Sequence, residues 1–117
     1  MKLHHYRTRI EWTGNRGEGT TGYTVSAYGK PDIEGSADPA FRGDASRWNP
    51  EEFLLAGLSA CHKLWYLHLC AVNGVTVMAY EDESEAVMDE TAGRFVSARL
   101  KPRVMVSAGS DVEKALA

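Results

Sequence analysis

Polar and apolar residues alternate from the start of the chain, and this period of two predicts a β-strand over residues 2–12. One side of that strand is mostly apolar and aromatic and ends in Ile10 and Trp12. A turn-rich cluster follows over residues 15–19, and the β-branched and aromatic residues of 20–28 predict the returning antiparallel strand. The first third of the chain therefore predicts a hairpin or a meander.

Residues 29–47 are interrupted by proline and glycine and carry several aspartates, so we expect mostly loop with room for one short strand. A helix should begin at Asn49-Pro50, because asparagine is a preferred N-cap and proline suits the first helical position. Asn73-Gly74 should end it, since glycine readily adopts the left-handed C-terminal conformation.

Between these caps, apolar residues occupy almost the full circumference of the predicted helix. A helix that is apolar all round has to be covered on all sides. One antiparallel sheet from a chain of this length covers only one side, so we infer that a second copy of the protein covers the rest. The pattern therefore predicts an obligate homodimer.

Two strand-like segments, residues 75–88 and 94–106, follow the helix. The first is strongly acidic over residues 81–85, and the second carries basic residues at alternate positions, so we expect acid to face base across a hairpin. Residues from Gly109 onward predict a last short helix, which is marginal unless something packs against it.

The composition excludes several classes of protein. A length of 117 residues fits one domain, and 44% hydrophobic with 25% charged residues excludes a disordered chain. The net charge of -3 offers no positive field, so we expect neither nucleic acid nor a membrane surface as a partner. With two cysteines and no signal-peptide pattern, we expect a cytoplasmic location.

The two cysteines lie nine residues apart on the predicted helix, so they point to opposite sides and cannot form a disulfide with each other. We expect Cys70 to be a core residue. Cys61 has small neighbours that would let a substrate approach. A reactive Cys61 needs a nearby cation, and the loop before the helix offers Arg42 and Arg47.

Other chemistries have weaker support. His62 and His68 are six residues apart and lack the helical zinc-site spacing, so we expect no metal and no other cofactor. A hydrolase that pairs Cys61 with His62 is geometrically poor, because adjacent residues of a helix point about 100° apart.

The segment from Asn49 to His62, which reads NPEEFLLAGLSACH, resembles the signature of the OsmC/Ohr family, the osmotically inducible protein C and organic hydroperoxide resistance proteins. Further similarity lies in GVTV at 74–77, YED at 80–82, GRF at 93–95 and LKPRV at 100–104. The resemblance covers most of the chain. Its specific part is NPEE with a cysteine ten residues after the first glutamate.

The resemblance implies an α+β fold in which antiparallel sheets wrap long central helices in an intertwined homodimer. It implies a single OsmC-like domain over residues 1–117 that lacks the family's C-terminal helix with its resolving cysteine. Members of the family are thiol peroxidases that reduce organic hydroperoxides without metal or haem. Cys61 would be the peroxidatic nucleophile, Glu51 would orient an arginine toward its thiolate, and Arg42 is our choice for that arginine.

The leading hypothesis is therefore a thiol peroxidase in oxidative-stress defence, with an organic hydroperoxide as substrate and an external thiol or dithiol as reductant. In a straight helix about 15 Å separates Glu51 from Cys61, so an arginine's length, a bend or the partner subunit must link them. The alternative is a non-catalytic OsmC-like dimeric domain that binds a small apolar ligand. That alternative predicts an unreactive Cys61.

Overall fold

A computed structural model of the chain describes residues 2–13 and 21–116, and these residues form two compact units. The first unit ends at Phe53 and the second begins at Leu54, within the long helix. Antiparallel strands accompany that one long helix. The predicted α+β class is therefore confirmed, and the intertwined homodimer stays a prediction.

The first unit contains a three-stranded antiparallel sheet in the order β1 (Arg9–Trp12), β2 (Tyr23–Ser26) and β3 (Ile33–Gly35). This confirms the predicted meander, but β1 is shorter than the strand predicted for it. Residues 2–8 lie outside any strand because β2 ends at Ser26, after which the chain turns and the Lys30 N–H donates to the Ala27 carbonyl. The turn predicted over residues 15–19 lies outside the described residues.

The loop after β3 is held by the buried hydroxyl of Ser36. Ser36 Oγ accepts a hydrogen bond from the Asp44 N–H at 2.9 Å and lies 3.1 Å from the Asp44 carbonyl oxygen. A 3₁₀ turn over Pro39–Phe41 leads into Arg42, whose backbone ends that turn in the left-handed region. The segment is therefore mostly loop, as its proline and glycine content predicts.

The long helix, α1 (Pro50–Val72), begins at the predicted cap. The Asn49 side chain accepts from the Glu52 N–H at 2.9 Å, and the Glu52 carboxylate accepts from the Asn49 N–H at 3.0 Å. This reciprocal pair is a capping box. Next to it, the Trp48 and Phe53 rings pack 5.6 Å apart across the cap as a hydrophobic staple, which fixes the direction in which the chain enters the helix.

The far end of α1 is also where the sequence predicts it, since Gly74 takes a φ of 75° directly after the last turn. Of the residues in α1, only Cys70 is buried. A row of exposed residues with helical spacing, which we name the open stripe, consists of Leu54, Leu58, Cys61, Trp65, Leu69 and Val72. This side of α1 is not covered by any described residue of the second unit, so its coverage by a second copy stays a prediction.

The strands of the second unit form two paired segments that follow one another. Strand β4 (Val77–Asp82) pairs with β7 (Pro102–Val106), and β5 (Glu85–Asp89) pairs with β6 (Arg94–Arg99). The two predicted strands are thus each interrupted once, at residues 83–84 and 100–101. Where the two interruptions meet, Asp82 Oδ1 accepts the Lys101 backbone N–H at 2.6 Å. A side chain thus replaces a hydrogen bond between the two strand backbones.

Acidic and basic side chains face each other across these strands, as predicted. Arg103 lies 3.3 Å from Glu81, and Lys101 lies 2.9 Å from Glu85. All four side chains are about half exposed or more, so water screens both pairs and each contributes little to stability. The pairs therefore favour this register more than they stabilise the unit.

The last helix, α2 (Val112–Leu116), is confirmed and is capped by the Asp111 side chain, which accepts the Glu113 N–H at 3.0 Å. Its Ala115 is buried with Cys70 and Val75, and these three are the buried apolar residues of the described chain. No helix within residues 2–13 and 21–116 is long and apolar enough to cross a lipid bilayer.

Candidate functional site

Cys61 lies in the middle of α1 with an exposed side chain, whereas Cys70 is buried in the core of the second unit. The burial of Cys70 confirms that prediction. On the open stripe, Cys61 lies between Leu58 and Trp65, which are 50% and 64% exposed. The thiol is therefore part of an apolar surface that a substrate or another protein chain can reach.

Two hydrogen bonds join the turn of α1 that carries Cys61 to strand β4. Ser59 Oγ donates to Asp82 Oδ2 at 2.5 Å, on the N-terminal side of Cys61. On the C-terminal side, His62 Nδ1 lies 3.1 Å from the hydroxyl of Tyr80. Sequence reasoning missed these contacts, although Ser59 and His62 are polar residues close to Cys61 in a largely apolar helix.

Aromatic rings pack beside these bonds. The Tyr66 ring stacks on His62 with centroids 6.3 Å apart and lies tilted against Tyr80 at 5.9 Å. Burial raises the pKa of both phenols. The Cys70 thiol raises the pKa of Tyr66 further, and the Asp82 carboxylate raises the pKa of Tyr80 further. Both phenols therefore stay protonated at neutral pH and keep their hydrogen-bond donors.

In the first unit, Glu51 lies in the first turn of α1 and is half-buried. Its Oε2 atom is buried and accepts no hydrogen bond from residues 2–13 or 21–116. Nearby, the pKa of the Tyr23 phenol is raised by burial first and then by the negative charge of Glu51. The Glu51 carboxylate thus has a partly desolvated oxygen that accepts no hydrogen bond from the described residues. Such an oxygen can accept a hydrogen bond from a cationic group.

The two arginines of the preceding loop differ in what they contact. Arg47 is half-buried and lies 3.8 Å from the Glu34 carboxylate and 3.6 Å from that of Asp44. Arg42 is exposed and forms no ion pair with any residue of the described chain. The choice of Arg42 as the arginine that serves Cys61 stays a prediction.

The proposed catalytic residues are distributed over both units. Arg42 and Glu51 belong to the first unit, and Cys61 belongs to the second, so their joint action stays a prediction. Across the described residues, no group of three or more His, Cys, Asp or Glu side chains is arranged to hold a metal ion.

Two half-open cavities adjoin His62 and Tyr66 in the second unit. One, of about 340 Å³, also includes Leu69 and Lys114 in its wall, and the other, of about 380 Å³, lies against β7 and α2. Cys61 lines neither of them. Their volumes are at the small end of the range for sites that hold small molecules.

Comparisons with known proteins give a family and a fold. A family model described as OsmC-like protein matches residues 43–117. Among solved structures, an OsmC-like protein of unknown function from Vibrio cholerae is similar with a TM-score of 0.78 and 22% identity, over 97% of this chain and 85% of that one. No curated protein matches the chain. At such low identity, the structural likeness shows the fold alone.

Proposed function

The chain belongs to the OsmC-like protein family, and on this premise we propose that it is a thiol peroxidase that reduces organic hydroperoxides through Cys61. The observation that carries this proposal is the exposure of the Cys61 thiol on an apolar surface, while Cys70 is buried. Apolar surroundings favour a hydroperoxide with a hydrocarbon substituent, because its burial removes apolar area from water.

The reaction is a two-electron displacement at oxygen. The Cys61 thiolate attacks the terminal oxygen of the hydroperoxide, a sulfur–oxygen bond forms, and the O–O bond breaks. The leaving alkoxide takes a proton and departs as an alcohol, while the sulfur becomes a sulfenic acid. A thiol reductant then condenses with the sulfenic acid and releases water. A second thiol cleaves the mixed disulfide and restores Cys61.

The thiolate needs a cation, and we assign that role to the Arg42 guanidinium, oriented by Glu51. Arg42 has no ion pair among the described residues, and Glu51 Oε2 accepts no hydrogen bond from them. A carboxylate that holds an arginine fixes its position and leaves further N–H groups to donate to the sulfur anion. Both observations support the assignment.

The open stripe supports the proposal that the working form is a homodimer. Leu58, Trp65 and Val72 expose half or more of their surface in the single chain. Apolar rows of this size on one helix are covered by another protein surface in a stable assembly. We propose that both units act together as one OsmC-like domain in each subunit, in the reducing cytoplasm where thiols are available.

Peroxide consumption tests the proposal directly. With cumene hydroperoxide and a dithiol reductant, Cys61→Ser should lower kcat/KM by more than about 100-fold, because a hydroxyl does not replace the thiolate as nucleophile. The matched control is Cys70→Ala, which removes the buried sulfur and should keep the activity of the wild-type protein. Equal rates for the wild type and Cys61→Ser would reject the assignment.

The alternative function is a dimeric domain without catalysis that binds a small apolar ligand. The two cavities at His62 and Tyr66 favour it, since most of their lining residues are apolar or aromatic and Cys61 is not among them. It predicts that alkylation of Cys61 follows the pH profile of a free thiol, centred at about 8.5. A profile centred well below that value would favour the peroxidase instead.

A further inference from the structure

Strand β4 contacts α1 on both sides of the turn that carries Cys61. Asp82 and Tyr80 are two residues apart on the strand, so their side chains point to the same side of it. Ser59 and His62 are three residues apart on α1 and share a face of the helix. The Ser59–Asp82 and His62–Tyr80 bonds, at 2.5 and 3.1 Å, therefore join one face of the helix to one face of the strand.

Both carboxylate oxygens of Asp82 are engaged. Oδ2 accepts from the Ser59 hydroxyl, and Oδ1 accepts from the Lys101 N–H at 2.6 Å. Rotation of this carboxylate would break one bond or the other. Hydrogen bonds to an ionised acceptor are shorter and stronger than those between neutral groups. Asp82 thus links Ser59 to the backbone of the opposite chain segment, next to β7.

The Ser59–Asp82 bond bears on the direction in which Cys61 points. Residues two apart on an α-helix point about 200° apart. Because Ser59 faces the strands, Cys61 points away from them, on the open stripe. A rotation of the helix by about 20° would move an atom about 6 Å from its axis by about 2 Å. A displacement of about 1 Å at a reacting centre costs about 100-fold in rate.

We propose that Asp82 is a positioning residue of the peroxidase: through Ser59 it fixes the rotation of α1 and thereby the placement of the Cys61 sulfur against the hydroperoxide. The His62–Tyr80 bond supports the same placement from the other side of Cys61. The inference rests on the proposed function, and neither Asp82 nor Ser59 touches the substrate.

Ser59→Ala tests the link, because it removes the hydroxyl and adds nothing. We expect kcat/KM for cumene hydroperoxide to fall by about 10- to 100-fold, with the loss mainly in kcat. Ser59→Thr keeps the hydroxyl and should restore kcat/KM to within about 3-fold of the wild type. Asp82→Asn keeps the shape and a neutral acceptor, so we expect an intermediate loss of about 3- to 10-fold.

The matched control is Ser107→Ala. Ser107 Oγ lies 2.7 Å from Ser110 Oγ, after the end of β7, so this variant also loses one half-buried hydroxyl contact. It should lower the unfolding midpoint less than Ser59→Ala, because its hydroxyl contact is with a neutral group, and it should leave kcat/KM unchanged. Wild-type kcat/KM in Ser59→Ala, or an equal loss in Ser59→Thr, would overturn the positioning role. If Ser59→Ala does not fold, the same comparison is made with Asp82→Asn.

A second readout separates this inference from the proposed function. Alkylation of Cys61 by iodoacetamide, mapped by mass spectrometry, needs no peroxidase activity. We expect Ser59→Ala to slow it at neutral pH by more than about 3-fold. If the wild type consumes no peroxide, this change in alkylation still supports the positioning role. Identical alkylation in Ser59→Ala and Ser107→Ala refutes it.

Discussion

Two features distinguish Arg42 from Arg47, the other arginine of the loop before α1. The Arg42 guanidinium forms no ion pair with the described residues, and the Arg42 backbone has a φ of 66°. For a residue with a Cβ atom, the left-handed conformation costs about 1–2 kcal/mol relative to the right-handed one. Strain of this kind persists where the surroundings impose it and is frequent at functional sites. Arg42 is therefore a residue at which stability and activity should respond differently to substitution.

A pair of variants separates the two effects. Arg42→Gly and Arg42→Ala both remove the guanidinium, but only glycine adopts the left-handed backbone without strain. We expect Arg42→Gly to be more stable than Arg42→Ala by about 1 kcal/mol in urea unfolding, and both to lose at least about 10-fold in kcat/KM. Full peroxidase activity in either variant would show that Arg42 is only a turn residue and that another cation serves Cys61.

The sequence predicted best those elements whose ends depend only on neighbouring residues. The cap at Asn49 and the stop at Gly74 fix both ends of α1 through neighbouring residues alone. The strands depend on distant partners. The interruption between β4 and β5 involves Asp82 and the Lys101 N–H, and β1 is short because β2 turns away. The contacts that flank Cys61 depend on this register too, so the sequence could select Cys61 but not its neighbours' partners on β4, Asp82 and Tyr80.

The short helix α2 is the element that most depends on a contact outside itself. With 5 residues it is far below the length at which a helix is stable alone in water. The Tyr66 hydroxyl donates to the Ala115 carbonyl at 2.6 Å, and Ala115 is buried in the core. This bond requires a protonated phenol, which agrees with the raised pKa of Tyr66. Docking of α2 should therefore depend on pH in the alkaline range.

Tyr66→Phe tests this docking. Loss of the hydroxyl leaves the Ala115 carbonyl without that donor, so we expect the free energy of unfolding to fall by about 1 kcal/mol at neutral pH. The pKa of Tyr66 is raised on folding. The contribution of its phenol to the free energy of unfolding is therefore complete below the unfolded pKa of about 10, and it is lost as pH rises through the folded pKa. Urea unfolding from pH 8 to 11 should therefore show a shallower decline in Tyr66→Phe than in the wild type.

The control for Tyr66→Phe is Tyr28→Phe, at a fully exposed position. It should reproduce both the neutral stability and the alkaline decline of the wild type. Part of the decline should remain in Tyr66→Phe, since the pKa of Tyr23 and of Tyr80 is raised as well. A decline of the same steepness in Tyr66→Phe and the wild type would show that α2 does not depend on the Tyr66 proton.

For the whole molecule, the small core is the feature that demands explanation. Within residues 2–13 and 21–116 only Cys70, Val75 and Ala115 are buried apolar residues. Marginal stability requires extensive apolar burial to offset the conformational entropy of the chain. The open stripe, with its three- and four-residue spacings, is the kind of row that packs into a partner surface. A second copy would supply the missing burial and would cover the surface in which Cys61 lies.

Leu58→Asp places a charge in the middle of that stripe, and Lys63→Glu changes the charge on another side of α1, about 140° away. We expect the wild type and Lys63→Glu to sediment as dimers. Leu58→Asp should sediment as a monomer, because burial of an unpaired carboxylate in an apolar interface costs several kcal/mol. A monomeric wild type, or a dimeric Leu58→Asp, would show that the stripe is not the subunit contact.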